Sequence, residues 1–116
     1  MNQAEVRRPP VEVLYFDGCP NHPTAQALVE RVSAEVGVGV EIKLVNVADP
    51  DAAARERFLG SPSIRVDERD IEPGAEVRIE YALSCRVYCT EDGTSGQPDE
   101  RWLREALCGW YASGRA

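Results

Sequence analysis

The sequence is short of several residue types at once. Its 116 residues hold one histidine (His22), one methionine and, among thirteen basic residues, a single lysine (Lys43). One imidazole excludes a catalytic zinc site built from several histidines. No HExxH, P-loop, GxGxxG or GxSxG stretch occurs, which removes the chemistries those motifs support. No apolar run approaches the ~18 to 20 residues that cross a bilayer. The opening MNQAEVRRPP has two arginines but neither an apolar core nor a small-residue cleavage site, so it does not read as a secretory signal. The expectation is a cytoplasmic protein without a membrane partner, whose four cysteines are thiols in reducing surroundings.

Positive charge is also scarce. Thirteen basic residues stand against twenty acidic ones, a net charge of −7. Such a surface repels phosphate backbones and anionic lipids, so nucleic acid is not expected as a partner. What is present is ordinary globular material: 43% hydrophobic and 28% charged residues in a chain long enough for one domain. A domain of this size buries roughly two-thirds of its unfolded surface and needs no metal, disulfide or cofactor to fold.

Residues 1–10, ending in Pro9-Pro10, read as a flexible tail, and 11–112 as one domain. Val11 to Phe16 is a β-branched and aromatic run that reads as a buried strand. Cys19-Pro20 then opens a helix, because proline suits the first helical position. Ala25, Leu28, Val29, Val32 and Val36 form its apolar stripe, and Gly37 ends it. Val40–Val47 alternates as a second strand. Asp49-Pro50 caps a short helix that runs to Phe58. Ser63–Asp67 is a third strand, and Asp70–Glu72 a short fourth after a Glu68-Arg69 turn. Cys85–Thr90 reads as a further strand ended by Asp92-Gly93. From Pro98, a last helix carries Leu103, Ala106, Leu107 and Trp110 on one side, and Trp102, Trp110 and Tyr111 belong to the core or a dimer surface. The order is βαβαββα, an α/β domain with an insertion carrying an extra strand before the last helix.

The sharpest constellation is Phe16-Asp17-Gly18-Cys19-Pro20-Asn21-His22, a cysteine between a strand and a helix. The N-terminus of a helix carries unpaired N–H groups and partial positive charge, which favour an anion, and the thiolate is the reactive form of cysteine. His22 is three residues on, one turn away, and positioned to donate to that thiolate or to add charge when protonated. Cys19 is therefore expected to be partly exposed and reactive. The plainer alternative makes Cys19 a helix cap and His22 a solvated residue.

With Ser61-Pro62-Ser63 before the third strand and the βαβαββα order, these residues resemble the thioredoxin-like superfamily. The likeness covers most of 11–72 and the last helix, and its element order is more specific than its short motifs. It implies a central four-stranded mixed sheet with helices on both faces. It also implies Cys19 as nucleophile and a cis Pro62 packed beside it. Together with Ser61, that proline would shape a backbone edge where substrate pairs. The chain departs from the family at two places. His22 stands where a second cysteine is usual, and Gly18 replaces the usual aromatic residue. A lone thiol cannot release its own mixed disulfide. A low-molecular-weight thiol or a distant cysteine must resolve it.

Cys85 and Cys89 are the candidates for that distant thiol. If the third strand starts beside Cys19, the antiparallel fourth strand returns toward it, and the insertion carrying Cys85 emerges there. On a strand, a Cys-x3-Cys pair spans ~13 Å, too far for a shared ion or disulfide, so at most one of the two partners Cys19. Cys108 reads as a packing residue. Three functions remain open. The first is a thiol-dependent oxidoreductase or thiol-transfer enzyme, in which Cys19, His22 and Cys85 act on a thiol or disulfide substrate with a small thiol as reductant. The second is a carrier of soft Cu, Hg or As ions on Cys19 and Cys85. The third is a scaffold without chemistry.

Overall fold

The computed structural model describes residues 8–112. Most of the expected tail, residues 1–7, lies outside them. Pro10 already belongs to the first strand, β1 (Pro10–Tyr15). It is followed by α1 (His22–Val36), β2 (Glu41–Asn46), α2 (Pro50–Glu56), β3 (Ser63–Val66) and β4 (Arg69–Asp70). A 3-10 turn at Ala75–Val77 leads to β5 (Tyr88–Thr90), β6 (Gly93–Ser95) and α3 (Glu100–Ala112).

The main sheet is mixed and four-stranded, in the order β2-β1-β3-β4. β1 pairs β2 in parallel and β3 antiparallel, with Leu14 opposite both Val45 and Ser63. The pleat of β1 sends Val11 and Val13 to one face and Leu14 to the other. On the first face, Val11, Val13, Ile64 and Val66 pack with Ala25, Val29 and Val32 of α1 and Leu103 and Leu107 of α3. On the second, Leu14 and Val47 pack with Ala53 of α2 and Phe58. Helices thus cover both faces, and the apolar stripe read along α1 is the one buried.

Several boundaries differ from the sequence reading, each for a local reason. α1 starts at His22, not at Cys19-Pro20, because Cys19 closes a tight turn in which its N–H bonds the Phe16 carbonyl at 3.1 Å. Gly18 takes φ +95° in that turn, open to glycine at no steric cost. Pro23, not Pro20, then occupies the first helical turn. Asp49 does cap α2, accepting the Ala52 N–H at 2.8 Å, but the helix ends at Glu56 with Arg57 left-handed. The turn between β3 and β4 falls at Asp67-Glu68, both left-handed, so β4 is Arg69–Asp70 and not 70–72. α3 starts at Glu100, after Asp99 has taken the Arg101 N–H at 2.9 Å, and not at Pro98. The insertion holds a small two-stranded sheet, β5-β6, in place of one long strand from Cys85.

Among the described residues no helix is long and apolar enough to cross a membrane.

Candidate functional site

Because β1 and β3 are antiparallel, the end of β1 and the start of β3 lie at one end of the sheet. That places the Phe16–Cys19 turn and the Gly60–Ser63 turn at the same end of the sheet. Asp17 is tied to the end of β2, accepting a hydrogen bond from Asn46 Nδ2 at 3.3 Å. The Ser61–Pro62 peptide is cis, the isomer expected there.

Cys19 differs from expectation in its exposure. It is buried, at 6% of its free surface. Among the described residues none hydrogen-bonds its sulfur. His22 does not serve the thiol in the way its spacing suggests. Its Nδ1 lies 3.4 Å from the Cys19 carbonyl oxygen, and its ring stacks on Tyr15, with centroids 4.1 Å apart and planes 17° from parallel. The physical reason is the later helix start. With His22 as the first helical residue, its side chain leans back over the end of β1, where Tyr15 offers a flat partner.

Ser61 is fully buried, and it too behaves differently from the reading of a free substrate edge. Its N–H bonds the Ser84 carbonyl at 2.8 Å, and its carbonyl accepts the Arg86 N–H at 2.9 Å. Cys85 therefore stands opposite Ser61 in a parallel bridge. One link earlier, the Ala82 N–H bonds the Phe58 carbonyl at 3.0 Å. The 82–86 segment runs beside 58–61 as a strap. The insertion reaches the Cys19 side as well, since Gln97 Nε2 donates to the Asn21 carbonyl at 3.0 Å. The topological expectation that the insertion returns to this end of the sheet holds. Cys85 itself, like Cys89, is exposed. Cys108, read as a packing residue, is exposed too, because α3 turns Leu103, Leu107 and Trp110 inward and leaves position 108 outside.

The residue that sequence reasoning missed is Arg86. It is buried, and its guanidinium forks onto Asp70 at 2.6 and 3.1 Å, Glu72 at 2.6 Å and Ser63 Oγ at 2.7 Å. Its charged end also lies 4.5 Å from the centre of the Tyr88 ring. Burial alone disfavours its charge, but the hydrogen bonds it donates to Asp70 and Glu72 outweigh that and hold it protonated more firmly than a free arginine. Tyr88 is fully buried, and its hydroxyl donates to the Pro62 carbonyl at 2.6 Å. Burial pushes its ionisation well above the usual phenol range, with Arg86 opposing. The period-two spacing of Asp70 and Glu72, matched by Arg86 and Tyr88, was the available signal.

Three buried polar atoms have no hydrogen-bond partner among the described residues: Ser61 Oγ, Arg86 Nε and Gln97 Oε1. No group of three or more His, Cys, Asp or Glu side chains converges there on a metal-sized space.

Comparison with known proteins adds one likeness. A CinA-like protein of Gemmatimonas aurantiaca is 30% identical over 79 residues, covering 62% of this chain. The match spans only 18% of that protein's length. No family model and no solved structure matches the chain.

Proposed function

We propose that this is a thioredoxin-like thiol protein, and that Cys19 is the one nucleophile of a thiol–disulfide exchange reaction. The observation that carries the reading is placement. Cys19 sits on the turn that joins β1 to α1, at the same sheet end as Ser61 and Pro62, and the order β2-β1-β3-β4 supports the family. Gln97 holds the loop that follows this turn, donating to the Asn21 carbonyl at 3.0 Å.

The mixed disulfide formed at Cys19 has to be resolved from outside the Cys19-Pro20-Asn21-His22 motif. A low-molecular-weight thiol is the leading candidate, and Cys85, across the bridge from Ser61, is the internal one. A disulfide exchange assay with Cys19→Ser tests the core of the proposal: turnover is expected to vanish, and full activity without Cys19 would overturn it. Loss of turnover in Cys85→Ser would assign that residue as the resolving thiol.

A second reading has a specific observation behind it. A buried cysteine without hydrogen bonds to its sulfur, beside a histidine committed to Tyr15, also fits a thioredoxin-like module that binds a partner and does no chemistry. That the likeness covers a small part of a longer CinA-like protein agrees with a module of this kind.

A further inference from the structure

We infer that the strap at Ser84–Arg86 is a specificity element. It occupies the place of an extended peptide at Ser61 and restricts Cys19 to low-molecular-weight disulfides. This rests on the reading of Cys19 as a nucleophile and adds to it the class of substrate.

A polypeptide that docks on a strand edge is held by main-chain hydrogen bonds to unpaired N–H and C=O groups. Ser61 has one of each, and the chain's own Ser84 and Arg86 already engage both, at 2.8 and 2.9 Å. The strap is seated as closely as backbone can be. A Cβ at Gly60 would stand 3.0 Å from the Ser84 carbonyl oxygen and 3.0 Å from Arg86 Cβ, so glycine is what permits the approach. Gly60 also has φ +124°, which other residues rarely adopt.

Three anchors keep the strap there. Arg86 is paired with Asp70 and Glu72, Leu83 packs on the cluster of Leu14, Val47, Ala53 and Phe58, and the Tyr88 hydroxyl holds the Pro62 carbonyl. An incoming peptide would have to break both Ser61 bonds and separate a buried ion pair. A small disulfide has to do neither. The 6% exposure of Cys19 agrees with narrow access.

The chemistry balances with a small thiol as co-reactant. The Cys19 thiolate attacks one sulfur of R–S–S–R, the Cys19–S–S–R bond forms, and R–S⁻ leaves with the electron pair of the broken bond. The thiolate of a second small thiol then attacks the R sulfur, forming a new R–S–S–R′ and restoring the Cys19 thiolate. One R sulfur leaves as thiolate while the R′ sulfur enters the disulfide, so each turnover exchanges R–S for R′–S. Complete two-electron reduction of R–S–S–R takes a further small thiol, which attacks R–S–S–R′ and leaves with R′ as R′–S–S–R′.

The test uses the full chain carrying Cys85→Ser, Cys89→Ser and Cys108→Ser, so that Cys19 alone reports. Two reagents share one leaving group: dithiodipyridine, and an extended peptide whose cysteine bears the same thiopyridyl disulfide. Release of the thiopyridone is followed by absorbance. The small reagent is expected to react at least about 100-fold faster, the worth of two backbone hydrogen bonds at about a factor of ten each. In Gly60→Ala and in Arg86→Gln, which loosen the strap, the ratio is expected to fall to about tenfold or less.

Equal rates in the parent chain would overturn the inference while leaving Cys19 a nucleophile. Reaction with neither reagent would overturn the thiol reading itself. Should both loosened variants fail to fold, amide hydrogen exchange of the parent decides: protection at Ser61 and Arg86 matching that of β1 supports the strap, and loop-like exchange there refutes it.

Discussion

Arg86 and Asp70 meet in a two-pronged ion pair, Nη1 to Oδ2 at 2.6 Å and Nη2 to Oδ1 at 3.1 Å. It ties a segment far along the chain to the edge strand β4, which is only two residues long. Without it, little would hold β4 and the strap together, because so short a strand offers few ladder bonds.

Removing one member of this network should therefore be costly. Arg86→Met would leave Asp70 without its arginine partner and Glu72 with only Arg78, 3.1 Å away. A loss of about 3–5 kcal/mol is expected, as for other buried pairs broken on one side. Arg86→Lys should recover only part of it, since a single ammonium cannot fork onto both carboxylates and Ser63. Urea denaturation followed by circular dichroism measures both.

Tyr88→Phe keeps the ring under Arg86 but strips the donor from the buried Pro62 carbonyl. The expected cost is about 1–3 kcal/mol, the penalty of one unsatisfied buried acceptor. A change within experimental error would mean that the carbonyl finds another partner.

Glu68 adopts φ +71° in the β3–β4 turn, a left-handed conformation that its Cβ resists. Glu68→Gly should stabilise the protein by up to about 1 kcal/mol, read as a higher denaturation midpoint with an unchanged slope.

Acid should weaken the start of α3. Side-chain and backbone hydrogen bonds from Arg101 hold the Asp99 carboxyl below the usual carboxylate range, and bonds from Arg31 and Arg104 do the same for Glu100. A carboxyl lowered on folding contributes stability that is complete above its unfolded value, near ~4, and is lost as pH falls through the lower folded value. Stability should thus decline below pH ~4, and Asp99→Asn should flatten that decline while retaining the cap. Denaturation midpoints across the acid range check the sign.

Native alkylation should separate the four thiols. Cys85, Cys89 and Cys108 are exposed and Cys19 is buried. Mass mapping after iodoacetamide is expected to find Cys19 modified at least about tenfold more slowly, with the difference removed by denaturant, as burial of a thiol limits access to it.

Much of this molecule was legible in one dimension. The apolar stripe of α1, the Asp49-Pro50 start of α2 and the alternation of β1 are local patterns, set by backbone geometry and side-chain period, and they gave the element order and the two covered faces. Cys19 could be singled out because a cysteine between a strand and a helix is a local feature too. Its environment could not. That Cys19 is buried and that His22 stacks on Tyr15 follow from the turn before α1 and its later start, and that Ser61 is already paired depends on where the 82–97 insertion lands. Arg86 looked like one more charge in a strand-like run. Only when β4 brings Asp70 and Glu72 alongside does it become the buried anchor of the strap. Local chemistry determined the elements and the candidate nucleophile. Long-range hydrogen bonds and one desolvated ion pair, which join residues fourteen to twenty-six positions apart and have no sequence period of their own, decided how the insertion is held against Ser61 and Pro62.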